Sequence, residues 1–344
     1  MPGRRPTIPD LAEAAGVSIS TVNRVINDAR KVRAPTRQRV LRAAQEIGFY
    51  GLGSIEHSIR NEAEIHRLGV LLLQKRRPFY ADLGRALEQA AQVHLDGRIE
   101  LTLEYLEDLT PNVVAERLNV LGTKCDSVAL VAAEHPLVSE AIDAVLADGV
   151  PVVGLITPLT ARGPVGFVGL DYYKVGRTAA WAIDRMCPTP GEIGILVGNH
   201  RYRNQDQNES GFRSYFREHP RGFTLLEPKL TFENSAAARE MTEQMLAEHP
   251  DIRALFVSGG GITGTISALR DAARPEGFVA IGYELMDVTR AALIDGTLDL
   301  VISHPIQALA QQTLDTLIRA KRAGPAAGAQ NVTLNFEIYT PENL

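Results

Sequence analysis

Residues 7–28 read TIPDLAEAAGVSISTVNRVIND, and this stretch decides what kind of chain follows. Thr7 and Asp10 have the spacing of a capping box, with Asp in place of Glu, and so open a helix. Leu11, Ala14 and Ala15 supply its apolar face. Gly16 permits a turn, Val17 enters the core, and Ser18 caps a second helix. In that helix Val22 and Ile26 share a face and Val25 broadens it. Ser20, Thr21, Asn23, Arg24 and Asn27 remain polar, and Ile19 is left exposed in the first turn. A third helix starts near Pro35 and buries Val40, Ala44 and Ile47. Three short helices with a glycine turn between the first two predict a helix-turn-helix. Its second helix carries short polar groups and an arginine, a set suited to base edges in the DNA major groove.

The charge distribution agrees. Residues 1–50 hold nine Arg/Lys against four Asp/Glu, a net +5, while the remainder holds 27 against 37, a net −10. A basic head on an acidic body suits a polyanionic partner. Arg30, Lys31, Arg33 and Arg37 are candidate phosphate contacts. No apolar run approaches the roughly 20 residues of a membrane span. The first residues, MPGRRPTIPDLAEAAG, place no apolar core behind their two arginines and do not read as a secretory signal. Cys125 and Cys187 lie far apart and near no His pair, which argues against a metal cluster or a disulfide framework. A cytoplasmic, nucleoid-associated protein is expected.

The stretch at 7–28 resembles, nearly position for position, the N-terminal signature of LacI/GalR-family regulators, T-x-x-D-V-A-x-x-A-G-V-S-x-x-T-V-S-R-V-x-N. Leu11 stands for the usual Val and Asn23 for the usual Ser. The resemblance implies a DNA-binding headpiece in which Ile19, Ser20 and Arg24 read bases. Thr7, Ser18, Thr21, Asn23, Asn27 and Lys31 would then hold the DNA backbone. Beyond it the likeness weakens. The family's Y-x-P-N-x-x-A-R-x-L segment forms a hinge helix that wedges open the minor groove. Here residues 49–66 read FYGLGSIEHSIRNEAEIH, with Gly51, Leu52, Ile55-Glu56 and Ser58 at the Pro, Asn, Ala-Arg and Leu positions. Gly51 and Gly53 weaken a helix start and Glu56 opposes phosphate. Either Ile55 or Ile59 wedges between base steps, or operator bending is weak or differently coupled.

From Arg67 onward strand-like and helix-like segments alternate, with continuous runs such as RLGVLLLQ, SVALVAA and VPVVGLIT. Such βαβα order predicts parallel sheets covered by helices on both faces. The pattern restarts after VGFVGLD, so two α/β halves in series are expected, with a ligand cleft at the carboxyl ends of their strands. The order resembles the effector domain of the same family, a periplasmic binding protein type I-like fold. The expected organisation is therefore α/β: an all-α headpiece at 1–50, a linker at 51–66, and an effector and dimerisation domain at 67–344. Its first half would span about 67–164 and 305–328, and its second about 165–304 and 329–344.

Phe79 and Tyr80, just past the first strand, are candidates to stack on a sugar ring. The resemblance places Asp171 at the cleft and crossover, and Glu284 where the family has a ligand-binding Asp. Asn208 stands at the family's usual Arg, with Arg201 or Arg203 as substitute donors. His304 stands at a Gln. Ser258 and the glycines after it replace A-N-D.

The stretch SGGGITG at 258–264 also satisfies G-x-G-x-x-G, with Glu284 twenty residues on, the fingerprint of a dinucleotide site. A nicotinamide-nucleotide enzyme or sensor built on Gly259–Gly264 is thus the alternative. No G-x-S-x-G, Walker A or H-E-x-x-H motif is present, so neither catalysis nor a cofactor is expected. The favoured reading is a homodimeric, operator-binding transcriptional repressor controlled by a sugar or sugar-derived effector.

Overall fold

The computed structural model describes residues 4–61, 64–94 and 97–344; residues 62 and 63 of the expected linker and the side chain of Arg30 lie outside the described residues. Contacts divide the chain into two compact units. One comprises residues up to Arg67 with Ala91–Glu100, and the other Leu68–Ala90 with Leu101–Leu344.

The first unit begins with α1 (Ile8–Ala14) and α2 (Ile19–Asn27), then a short 3-10 turn at Ala29–Lys31. It continues with α3 (Ala34–Glu46) and α4 (Leu52–Asn61). Asp10 accepts the Thr7 N–H at 2.7 Å and its hydroxyl at 2.6 Å, so the carboxylate ties down the start of α1. Gly16 turns the chain at φ +60°, a conformation that a Cβ would disfavour. Ser18 then caps α2 by accepting the Thr21 N–H. Leu11 and Ala12 of α1 and Ala15 at its end are buried in the headpiece core, at the i, i+1 and i+4 positions of one helical face, while Ala14, expected there, is exposed. Val40 and Ala44 are buried as expected, and Ile47 only partly so.

The linker corrects the expectation most. Residues 52–61 form a helix despite Gly51 and Gly53, and Ile55 and Ile59 are buried in the same core as Phe49, Val22 and Val25. The reason is the spacing: Leu52, Ile55 and Ile59 fall on one helical face and join Phe49 in covering α2 and α3. Neither isoleucine is free to wedge between base steps in this arrangement. The linker is a fourth headpiece helix.

The second unit carries two sheets. The chain runs β1 (Ile65–Leu73), α5 (Pro78–Val93), β2 (Arg98–Leu106), α6 (Pro111–Gly122), β3 (Ser127–Leu130), α7 (Pro136–Ala147), β4 (Val152–Leu155) and β5 (Gly166–Leu170). It continues through α8 (Tyr172–Met186), β6 (Glu192–Val197), α9 (Arg203–Glu218), β7 (Thr224–Leu225), β8 (Lys229–Leu230), α10 (Ser235–Glu248), β9 (Ile252–Val257) and α11 (Ile262–Asp271). Then come β10 (Val279–Tyr283), α12 (Asp287–Ile294), β11 (Leu300–Ser303), α13 (Ile306–Ala323), β12 (Asn331–Leu334) and β13 (Glu337–Tyr339). The first sheet has the order β12-β5-β4-β3-β1-β2, and the second β13-β11-β10-β9-β6-β7, with β8 also on β6. The recorded registers are parallel except for β11 with β13. β1, β3, β4, β6, β9, β10 and β11 are almost wholly buried, as strands with helices on both faces must be.

The half boundaries shift from those expected. β5 pairs with β4, and β12 pairs with β5, so both belong to the first sheet and not the second. The chain crosses between halves after Leu170, after Ser303 and after Leu334. The alternation of strand and helix does not mark these crossings, because a strand at a sheet edge reads the same on either side. Among the described residues no helix is long and apolar enough to cross a membrane.

If α4 is part of the headpiece core, Ile55→Ala should destabilise the headpiece by about 2–4 kcal/mol. Denaturant unfolding followed by helical circular dichroism on the isolated headpiece measures this. An unchanged midpoint would show that α4 does not pack there.

Candidate functional site

Two surfaces carry chemistry. On the headpiece, α2 buries Val22 and Val25 and turns Ile19, Ser20, Asn23, Arg24 and Asn27 outward. Ile19 is 49% exposed, unusual for an isoleucine that has no partner to cover. Ser18 Oγ lies 2.8 Å from both Ser20 Oγ and Thr21 Oγ1, so these hydroxyls form one cluster at the helix start. The Asn27 amide donates to the Asn23 carbonyl at 3.0 Å. Lys31 pairs with Asp28 at 2.5 Å, and Thr7 is partly engaged by Asp10. A rigid, capped helix with an outward arginine and short polar groups matches the depth and hydrogen-bonding pattern of a major groove.

In the second unit a cavity of about 600 Å³ opens between the two halves. The first half contributes Gln74, Arg76, Arg77, Phe79, Tyr80 and Ile156, and the second contributes Asn204, Gln205, Glu233, Ser258, Gly259–Gly261, Tyr283 and Glu284. Most sit just past the carboxyl end of a strand or in the first turn of the next helix. An ion pair spans the cleft: Arg77 Nη1 lies 2.8 Å from Glu233 Oε2, with side chains only 20% and 10% exposed. Gln74 orients the guanidinium by accepting from Arg77 Nε at 3.0 Å. Gln205 donates to Glu233 Oε1 at 2.5 Å and accepts from the Gly198 and Asn199 N–H groups.

Backbone strain gathers here. The non-glycine residues with positive φ among those described are Ile156, Phe232, Glu233 and Glu284. Three line the cavity, and Phe232 lines the adjoining recess. Each such residue costs on the order of 1–3 kcal/mol, tolerated only where surrounding contacts impose it. At Glu284 the imposition is visible. Its N–H donates to Ile302 O, its carbonyl accepts from Thr289 Oγ1 at 2.8 Å, and Leu285 N–H donates to Ser303 Oγ at 3.0 Å. The Glu284 carboxylate accepts from His304 Nδ1 at 2.6 Å and from Ser303 Oγ and the His304 N–H at 3.2 Å. His304 is itself enclosed by Phe79, Tyr172 and Tyr283, and its Nε2 meets the Tyr172 hydroxyl at 2.9 Å.

Several buried polar atoms here have no hydrogen-bond partner: Asn204 Oδ1, Ser258 Oγ, and the Tyr283 hydroxyl, which lies near the Asn208 amide but outside hydrogen-bonding geometry. A buried polar group left unpaired is costly, so these atoms are hydrogen-bonding capacity at the cleft that the described residues leave unused. Burial, reinforced by the charge of Glu233, pushes the Tyr80 phenol well above its ordinary pKa. Burial and the charge of Glu284 do the same at Tyr283. Both therefore remain neutral O–H groups at physiological pH.

The residues named from sequence divide accordingly. Phe79, Tyr80, Ser258 and Glu284 line the cavity. His304 stands behind Glu284 and holds it. Asp171 caps α8, accepting the Lys174 N–H at 3.1 Å, and is not on the wall. A carboxylate at a strand-to-helix turn serves the helix dipole as readily as a ligand, and here it serves the helix. Arg203 sits 3.7 Å from Glu134 and does not replace the missing donor. Asn208 is fully buried and not among the cavity-lining residues; its backbone packs against Gly176 of α8, while both atoms of its side-chain amide are without a hydrogen-bond partner beside Tyr283. The residues missed are Gln74, Arg77, Asn204, Gln205, Glu233 and Tyr283. Gln74 and Tyr283 at strand ends carried the positional signal already used for Phe79. Glu233 carried none, since nothing local foretells its left-handed backbone.

SGGGITG also finds its explanation. A side chain on Gly259 would strike the Gln205 amide, and one on Gly260 the Glu233 carboxylate. Gly261 has φ +98° and precedes α11, while Gly264 lets α11 approach the backbone of α10 at Ser235. The glycines make room for protein groups, one of them the Glu233 carboxylate against the loop. Among the described residues no group of three or more His, Cys, Asp or Glu is placed to hold a metal.

Comparison with known proteins gives the same division. Residues 7–51 match the model of bacterial regulatory proteins of the LacI family, and residues 114–324 match a periplasmic binding protein domain. The chain therefore belongs to the periplasmic-binding-protein domain family, and its first residues match the LacI-family DNA-binding segment. Among relatives, the HTH-type transcriptional regulator GalS of Salmonella typhimurium is 25% identical over 95% of this chain and 92% of its own. The regulator DegA of Bacillus subtilis is 25% identical over 62% of this chain and 61% of its own. The ribose operon repressor of Bacillus subtilis is 32% identical over 32% and 35%. The match to these last two thus spans less than two thirds of their length. A solute-binding protein of Actinobacillus succinogenes, solved with bound D-allose, shares the fold at TM-score 0.72 and 15% identity, over 80% of this chain and 98% of that one. In this chain α4 lies outside both matched segments.

His304→Ala removes the donor that holds the buried Glu284 carboxylate. It should destabilise the second unit by about 2–3 kcal/mol in denaturant unfolding. A wild-type midpoint would show that the pair does not hold the cleft together.

Proposed function

We propose that the protein is a sequence-specific transcriptional repressor that binds operator DNA as a homodimer in the cytoplasm. We propose further that a sugar or sugar-derived effector in the cleft sets its affinity for that DNA. The observation that carries the first part is the outward face of α2. Ile19, Ser20 and Arg24 stand free of the core on a helix whose other face is fully buried. Ser18, Thr21, Asn23 and Asn27 flank them as backbone contacts, while Thr7 and Lys31 reach phosphate only by sharing or leaving Asp10 and Asp28. Two such helices in a dimer read half-sites about one helical turn apart.

The cleft supports the second part. Phe79 and Tyr80 offer aromatic faces to a sugar's C–H groups, Glu284 accepts hydroxyl protons, and Ser258, Asn204 and Tyr283 await partners. Relatives named for ribose operon repression, and solved proteins of this fold holding D-allose or α-D-tagatopyranose, support a sugar. An effector between the halves shifts the balance between their open and closed placements, to the extent of its differential affinity for the two. In a homodimer that changes the separation of the headpieces.

Arg24→Ala should weaken binding to the protein's own promoter fragment by about 1–3 kcal/mol and relax discrimination at one base pair in each half-site. Fluorescence anisotropy over a series of mutated fragments at fixed salt checks this. Unaltered affinity and unaltered preference would contradict the reading of α2 as the probe.

A further inference from the structure

The cleft holds more charge than an uncharged ligand needs, and the way that charge is arranged is informative. Arg77 is the cationic side chain most enclosed by the cavity, and it is already spent on Glu233. Glu284 is likewise held by His304 and Ser303. Arg76 is exposed at the mouth, where the adjoining recess also carries Glu107 and Asp108. The wall atoms left without partners are all neutral: an amide oxygen and two hydroxyls.

Glu233 is placed there by construction. Phe232 and Glu233 are consecutive left-handed residues, at φ +49° and +60°, which swing the carboxylate inward. Gly198 and Gly260 leave the space it fills, since a Cβ on either would collide with it. Gln205 fixes one carboxylate oxygen and Arg77 the other. Thr231 Oγ1 donates to the Gly260 carbonyl at 2.7 Å and pins the glycine loop to the turn.

We propose that Glu233 is the residue that sets the charge class of the effector. By neutralising Arg77 inside the cleft, it restricts the site to uncharged, hydroxyl-rich ligands and rejects phosphorylated or acidic sugars. A sugar phosphate or uronate that passes Arg76 at the mouth meets the Glu233 carboxylate inside, with the Arg77 guanidinium already paired to it, and like charges at short range in a desolvated site repel strongly. The inference rests on the effector being a sugar, and it adds which kind.

Isothermal titration calorimetry on the full chain tests it with D-ribose, D-galactose, D-glucose, D-allose, lactose and myo-inositol as neutral probes. D-ribose 5-phosphate, D-glucose 6-phosphate and D-glucuronate are the anionic probes. At least one neutral probe should bind and the anionic ones should not. Glu233→Gln keeps the shape and frees the Arg77 charge, so this variant should gain affinity for the anionic probes by about tenfold or more. Circular dichroism confirms that the variant is folded, and Glu233→Ala serves in its place if it is not. Binding of an anionic probe to the wild type as tightly as any neutral one overturns the proposal while leaving a sugar effector in place. A folded variant with no gain overturns the role of Glu233. No binding by any probe of either class overturns both this proposal and the sugar reading on which it rests.

Discussion

The body of this protein depends on the contacts that cross its cleft, above all one partly buried ion pair. Two α/β halves are joined by three chain crossings, a geometry that leaves them free to hinge. Arg203 lies 3.7 Å from Glu134, and the Glu134 N–H donates to the Arg201 carbonyl; on the ligand side Arg77 from one half meets Glu233 from the other. A partly buried pair of this kind needs its remaining hydrogen bonds satisfied to be stable at all. Gln74 and Gln205 supply them, one to each partner. The glycine loop after β9 follows from the same requirement, because only residues without a Cβ let the Glu233 carboxylate and the Gln205 amide reach their places.

The concentration of left-handed residues around the cleft belongs to this picture. Ile156 and Glu284 are held in a costly conformation by backbone hydrogen bonds to the sheets, and Glu233 by its side-chain bonds to Arg77 and Gln205. Strain maintained by surrounding structure presents side chains at fixed positions before a ligand arrives. A preorganised site of that kind couples ligand binding to the relative placement of the halves more sharply than a loose one. The headpiece achieves its own rigidity differently, through a fourth helix that fills its core with Ile55 and Ile59.

Much of this was legible in the sequence. The helix-turn-helix was readable because capping residues, the turn glycine and the apolar spacing all agree over residues 7–28. The parallel sheets were readable because strands buried on both faces give unbroken apolar runs. Ser258 and Glu284 line the cleft cavity, as expected of residues just past strand ends in parallel sheets. The failures share a cause, which is long-range contact. Asp171 holds a position that suits a ligand, yet its carboxylate caps α8 through the Lys174 N–H, and Asn208 lies buried off the cavity lining. The helical face of residues 52–61 was visible, but its burial against α2 and α3 was decided by tertiary packing. Arg77 and Glu233 are 156 residues apart, and no local pattern announces their meeting. The SGGGITG loop misled for the same reason, since its glycines answer to a carboxylate distant in sequence.

The central claim is that one chain couples a groove-reading helix to a ligand cleft. Its most direct test is the affinity for operator DNA measured with and without saturating effector, on the full chain and on the isolated headpiece. The account predicts a change of at least about fivefold in the full chain and none in the headpiece. Identical DNA-binding isotherms for the liganded and unliganded full chain would contradict it.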